Sequence, residues 1–165
     1  MLFRSGHGTF VSGIIGAVGD NAIGTSGVCW QVSILPVRFQ GNSGMGYTGA
    51  AVSALSYVTQ LKRAGVPIVA TNISWGGLLG LSGSVDTAIR DQVAAGITVV
   101  AAAGNDGSDT DVVPRYPASF TSDGMITVAA TDLADHLAGF SNYGATSIDR
   151  SEEHTSELQS PCNLV

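Results

Sequence analysis

Ile97-Thr98-Val99-Val100-Ala101-Ala102-Ala103-Gly104-Asn105 is the stretch whose reading decides the fold. An uncharged run, β-branched at its start and small at its end, reads as a strand buried on both faces, and Gly-Asn as the turn that leaves it. Val66-Pro67-Ile68-Val69-Ala70-Thr71-Asn72-Ile73-Ser74 has the same character. Between the two runs, residues 84–95 set Val85, Ile89 and Val93 at helical spacing and stop at Gly96. A further strand is expected over 125–131, one over 32–39, and a helix over 48–62 that ends at Gly65. Alternating strand and helix implies an α/β domain, a three-layer αβα sandwich with a mostly parallel sheet. Sheets of this kind carry their chemistry at the carboxyl ends of the strands, which is where Ser74-Trp75-Gly76 and Gly104-Asn105 fall.

Near the start of the chain stands Ser5-Gly6-His7-Gly8-Thr9-Phe10-Val11-Ser12-Gly13. Val11, Ile14, Ile15 and Val18 follow at helical spacing, which predicts His7 in the first turn of a helix buried along one face, with a loop over 19–27 behind it. Cys29 is the one Cys before the last residues, so no disulfide within the domain is expected, and beside Trp30 it reads as a small buried hydrophobe.

Taken in order, the His7 segment, Asn72-Ile73-Ser74-Trp75-Gly76-Gly77 and Ala101-Ala102-Ala103-Gly104-Asn105-Asp106-Gly107 resemble the subtilisin-like serine proteases. The resemblance covers 6–149. It implies hydrolysis of peptide bonds through an acyl-serine, with His7 as general base and Asn105 as side-chain donor to the oxyanion. Phe10 stands where many members carry a second histidine that is not part of the triad. By the same resemblance Gly44-Met45-Gly46 and Ser74-Trp75-Gly76 are the two backbone segments that take the substrate between them as an added strand, and Ala103 and Gly104 lead into the donor. Tyr116 borders the pocket for the side chain before the scissile bond, and Arg115 lies at its floor. There the guanidinium either meets a substrate carboxylate, turns to solvent, or pairs with Asp109 or Asp111.

The resemblance also says what to look for and not find. The family's aspartate strand precedes the histidine helix, and its Gly-Thr-Ser nucleophile follows the Phe140-Ser141-Asn142-Tyr143-Gly144 stretch; neither is in this chain, which is therefore expected to be an internal fragment and itself inactive. The loop around Asp20 is the one that wraps a structural calcium in many members, implying the Asn21 side chain and the carbonyls of Gly19, Ile23 and Thr25 as ligands, beside a plain turn as the alternative. The chemistry requires no cofactor. The expected partners are peptide or protein substrates and a propeptide in the full-length parent, and the expected location is secreted or extracytoplasmic.

Composition agrees with a globular chain: 44% hydrophobic and only 12% charged residues leave enough apolar side chain to fill a core. Over 1–149, six basic side chains face ten Asp, which argues against nucleic acid as a partner, and no apolar run is long enough to span a membrane. All 22 Gly lie at or before Gly144, and all Glu lie after Asp149. The stretch Arg150-Ser151-Glu152-Glu153-His154-Thr155-Ser156-Glu157-Leu158-Gln159-Ser160 resembles the translation of a sequencing-library adaptor. Residues 1–149 are thus expected to be a partial peptidase domain and 150–165 a non-native tail. His136 and the Asp106, Asp109, Asp111 group read as solvated loop residues. The competing class is a peptide-binding relative with no triad; a nucleotide-binding α/β module is not favoured, because the chain lacks a phosphate-cradling Gly loop between its first strand and helix.

Overall fold

The computed structural model describes residues 6–41, 44–77 and 83–153. The chain divides into two compact units, Met1–Ala50 and Ala51–Val165.

In the first unit, α1 (His7–Gly16) begins at Gly6, whose left-handed backbone (φ 69°) turns the chain into the helix and whose carbonyl accepts the Phe10 N–H at 2.9 Å. At the other end of α1, the N–H groups of Gly27, Val28 and Cys29 donate to the carbonyls of Ala17, Ile14 and Ile15. These bonds satisfy helix-terminal acceptors that would otherwise be left open. Val11 is the buried residue of α1, while Val18, assigned to the same stripe from spacing, lies beyond the helix end and is exposed. Cys29 is exposed as well, not buried as its chemistry suggested, because its main chain is engaged on α1 and its side chain is left outside. The apolar run 32–39 is not a strand. It pairs with no ladder among the described residues; Val32 and Ile34 instead lie against Gly16 of α1, where an added Cβ would sit 2.6 and 3.1 Å from them.

The second unit is built on a sheet. α2 (Thr48–Arg63) enters it, followed by β1 (Ala70–Ile73), α3 (Gly83–Ala94), β2 (Thr98–Ala102), β3 (Met125–Thr131) and β4 (Arg150–Glu153). The strands lie in the order β1-β2-β3-β4, all parallel, with Ile73 beside Ala101 and Ala101 beside Thr127. This is the parallel α/β architecture that the alternation of elements predicts. Both α2 and α3 end as expected at a left-handed glycine, Gly65 (φ 96°) and Gly96 (φ 77°), where a Cβ would be strained. Leu55 of α2 and Val85, Ala88 and Ile89 of α3 pack on Ile73, Val99, Ala101 and Met125, so both helices use one sheet face. Each Leu, Ile or Val buried in this way stabilises the fold by about 1.5–3 kcal/mol.

Of the strands, β3 is buried on both faces, whereas β2 alternates and β1 keeps Ala70 and Asn72 exposed. The continuous apolar reading of the β1 run thus overstates its burial: among the described residues β1 is the edge of the sheet, and the residues 66–69 before it are irregular. At the other edge the sheet runs past the composition break, with β4 pairing Val128 to Arg150 and Thr131 to Glu153. Residues 154–165, the rest of the segment set apart on composition, lie outside the described residues.

Candidate active site

The carboxyl edge of the second unit's sheet gathers three of the segments singled out from sequence. Ser74-Trp75-Gly76 leaves β1, with the Ser74 hydroxyl accepting from Asn72 Nδ2 at 2.8 Å and the Trp75 side chain packed against the core. Gly77 and Tyr116 form a two-way backbone bridge (N···O 3.0 and 3.3 Å), which joins the Ser74 segment to the Arg115-Tyr116 segment. Gly76 must be small at this crossing, since a Cβ would come within 3.0 Å of the Tyr116 carbonyl. The Arg115 turn is itself closed by Ser119, whose Oγ accepts the Arg115 N–H at 3.0 Å, and the Tyr116 and Phe120 rings lie 4.8 Å apart.

The third segment follows β2. Ala103 extends the ladder by donating to Val128 O at 2.9 Å, and Gly104 then turns the chain with φ 100°, leaving Asn105 exposed at the sheet edge. The loop is held from inside by Asn142. Its Nδ2 donates to Ala103 O (3.0 Å), its Oδ1 accepts from Asp106 N (2.9 Å) and Ser108 N (3.0 Å), and its own N–H donates to Gly104 O (2.9 Å). The neighbouring Ser141 Oγ accepts from Ala130 N at 2.9 Å and donates to Asn142 O, tying the clamp to β3. In the sequence Phe140-Ser141-Asn142-Tyr143-Gly144 is only a landmark, and its polar Ser-Asn pair between two aromatic residues is the one local sign of this buried network.

Arg115 neither turns to solvent nor pairs with Asp109 or Asp111. Its side chain is 13% exposed and its Nε lies 3.2 Å from Asp106 Oδ2, an ionic contact rather than an aligned hydrogen bond. The other carboxylates of this region are likewise engaged rather than merely solvated. Asp109 Oδ1 accepts the Asp111 N–H, and Asp111 receives the N–H groups of Ala145, Thr146 and Ser147 together with the Thr146 hydroxyl. Hydrogen bonding by Ser147, then Thr146, holds the Asp111 carboxyl down at about 2. His136 is exposed, 3.5 Å from Asp132, whose carboxyl is lowered chiefly by the His136 and Ala134 N–H groups.

The remaining site residues belong to the first unit. His7 occupies the first turn of α1, half-buried, as its motif predicts. Gly44 (φ 77°) and Met45 lie in a turn where Gly41 N donates to Met45 O at 2.9 Å, and Gly46 sits against Phe39 and Gln40. Residues 18–26 line an open hollow. Asp20, Ala22 and Gly24 all have positive φ, which alternates the direction of successive peptide groups, and Asn21 Oδ1 accepts the Ile23 N–H at 3.0 Å. The donors named for a cation here, one carboxamide and three carbonyls, are neutral hard oxygens of the type calcium takes. Among the described residues no group of three or more His, Cys, Asp or Glu is placed to hold a metal, and no helix is long and apolar enough to cross a membrane.

Residues 2–161 match the profile described as "Subtilase family". The chain is 41% identical over 140 residues to an "Extracellular serine proteinase" of Thermus sp. (strain Rt41A), covering 85% of this chain and 30% of that protein. It is 38% identical over 141 residues to "Thermitase" of Thermoactinomyces vulgaris, covering 86% of this chain and 47% of that one. The structure of a "cold adapted subtilisin-like serine proteinase" superposes with a TM-score of 0.74 at 31% identity, over 89% of this chain and 48% of the other. The chain thus spans half or less of the length of these relatives.

Proposed function

The chain belongs to the Subtilase family, a family of serine-type endopeptidases, and on that premise we propose that it carries part of the active site of an enzyme that cleaves peptide bonds through an acyl-serine. His7 is the general base: it takes the proton from the attacking serine hydroxyl and returns it to the leaving amine. Asn105 donates to the carbonyl oxygen as it becomes an oxyanion. The triad carboxylate and serine come from segments outside this chain, so the 165 residues alone are inactive. Ser74-Trp75-Gly76 and Gly44-Met45-Gly46 offer main chain to an extended peptide, a mode that gives affinity with little sequence selection.

The observation that carries this reading is the convergence of Gly104-Asn105, Ser74-Trp75-Gly76 and Tyr116 on the carboxyl edge of one parallel sheet. An exposed carboxamide just past a strand end, beside main chain on which a peptide can align, is the arrangement oxyanion stabilisation needs. Arg115, neutralised by Asp106, belongs to the pocket for the side chain before the scissile bond. Calcium, held by the Asn21 side chain and the carbonyls of Gly19, Ile23 and Thr25, would brace the loop behind α1 without entering the reaction. A propeptide and an extracytoplasmic location complete the reading.

The test has two arms. A fluorophosphonate labels one serine of the full-length protein and none of this chain; labelling of a single serine here overturns the fragment reading. In the full-length protein an unlabelled but peptide-binding product points instead to a non-catalytic relative.

A further inference from the structure

We propose that Asn142 is the positioning residue for the Asn105 donor, an inference that rests on the assignment of Asn105 above. Asn105 is exposed, so nothing packed around its side chain fixes its aim; that is set by the backbone that carries it. Asn142 fixes that backbone on both sides. Before Asn105 it engages the carbonyls of Ala103 and Gly104, and after it the N–H groups of Asp106 and Ser108. Four hydrogen bonds from one fully buried residue bracket the donor within a six-residue span.

The carboxamide is chemically specific here. It gives a donor to one carbonyl from Nδ2 and an acceptor to two N–H groups from Oδ1; an ionised carboxylate has no donor, a hydroxyl carries both functions on one atom and cannot span the two sets of partners, and an aliphatic side chain has neither. Gly104 is shaped to it: its φ of 100° disfavours a side chain, and a Cβ would stand 2.5 Å from Asn142 Nδ2. Through Ser141 the clamp is referred to β3, the most buried strand, so the donor loop inherits the rigidity of the sheet rather than of the surface. Misplacement of a reacting or stabilising group by about 1 Å costs on the order of 10² in rate.

The experiment is a double-mutant cycle in the full-length protein, with kcat and KM measured for wild type, Asn142→Asp, Asn105→Ala and the double variant. Asn142→Asp keeps size and both acceptor bonds but loses the donor to Ala103 O. The expected result is a fall in kcat on the order of 10² with KM little changed, and no further fall when Asn142→Asp is added to Asn105→Ala. Equal factors in both backgrounds mean a general structural role and overturn the proposal, as does an unchanged kcat. Amide hydrogen exchange separates the two assignments. If Asn105→Ala leaves kcat intact, the role of Asn105 falls, and faster exchange at Asp106 and Ser108 in Asn142→Asp still establishes the clamp. Exchange unchanged there, or raised equally across β2 and β3, refutes it. Should Asn142→Asp not fold, Asn142→Ser is measured in the same way.

Discussion

The two units divide the apolar core very unequally. Among the described residues, Val11 is the buried hydrophobic side chain of the first unit, whereas the second buries Leu55, Val58, Ile73, Val85, Ile89, Ile97, Val99, Met125, Val128 and several alanines. The first unit meanwhile leaves Val18, Ile23, Val28, Trp30 and Tyr47 exposed. What orders it is hydrogen bonding at the ends of one helix, and what orders the second is a filled sheet face. The proposed base thus lies in the weakly cored unit and the proposed oxyanion donor in the well-cored one.

Kinetics breaks or sharpens that division most strongly. In the full-length protein His7→Ala lowers kcat by several orders of magnitude with little change in KM, and Asn105→Ala lowers it on the order of 10²–10³. Activity equal to wild type in either variant removes that unit from the chemistry. The next effect is on stability. Ile89→Ala, at a site with no exposure, costs about 2–5 kcal/mol in a urea titration. Val28→Ala, at 88% exposure, falls within about 0.5 kcal/mol of wild type. Similar losses at the two sites contradict the contrast in cores.

Smaller effects address each unit separately. Chelation of calcium speeds amide exchange over 18–29 and leaves β2 and β3 unchanged; exchange insensitive to chelator argues for a plain turn. In the second unit, Asp111 titrates at about 2 when folded against an ordinary value of 3.8. Its ionised form therefore supports the 144–147 turn at every pH above about 3.8, and that support is lost as pH falls from there through about 2. Exchange at Ala145, Thr146 and Ser147 rises over that window, and Asp111→Asn abolishes the pH step.

Much of this was legible in the sequence because it depends on local chemistry. The start of α1 at His7, the stops at Gly65 and Gly96 and the exit of β2 at Gly104-Asn105 all follow from residues within a few positions of the event. What was not legible depends on partners distant in the chain. The run 32–39 has strand composition, but composition does not provide a ladder. β1 looks buried until its place at the sheet edge is known, and Cys29 until its backbone is seen on α1. The pairing of Arg115 with Asp106, and of Asn142 with a loop 34–39 residues earlier, are closures that no spacing rule anticipates.

The bond from Gly27 N to Ala17 O, 2.8 Å long, closes the 18–26 hollow at its neck. With both ends pinned there, the intervening residues form a cassette whose contents are mechanically separated from the helix that bears His7. Loop-closure entropy grows only logarithmically with length. The segment can therefore be lengthened, shortened or exchanged at modest cost to the helix, provided the neck is kept.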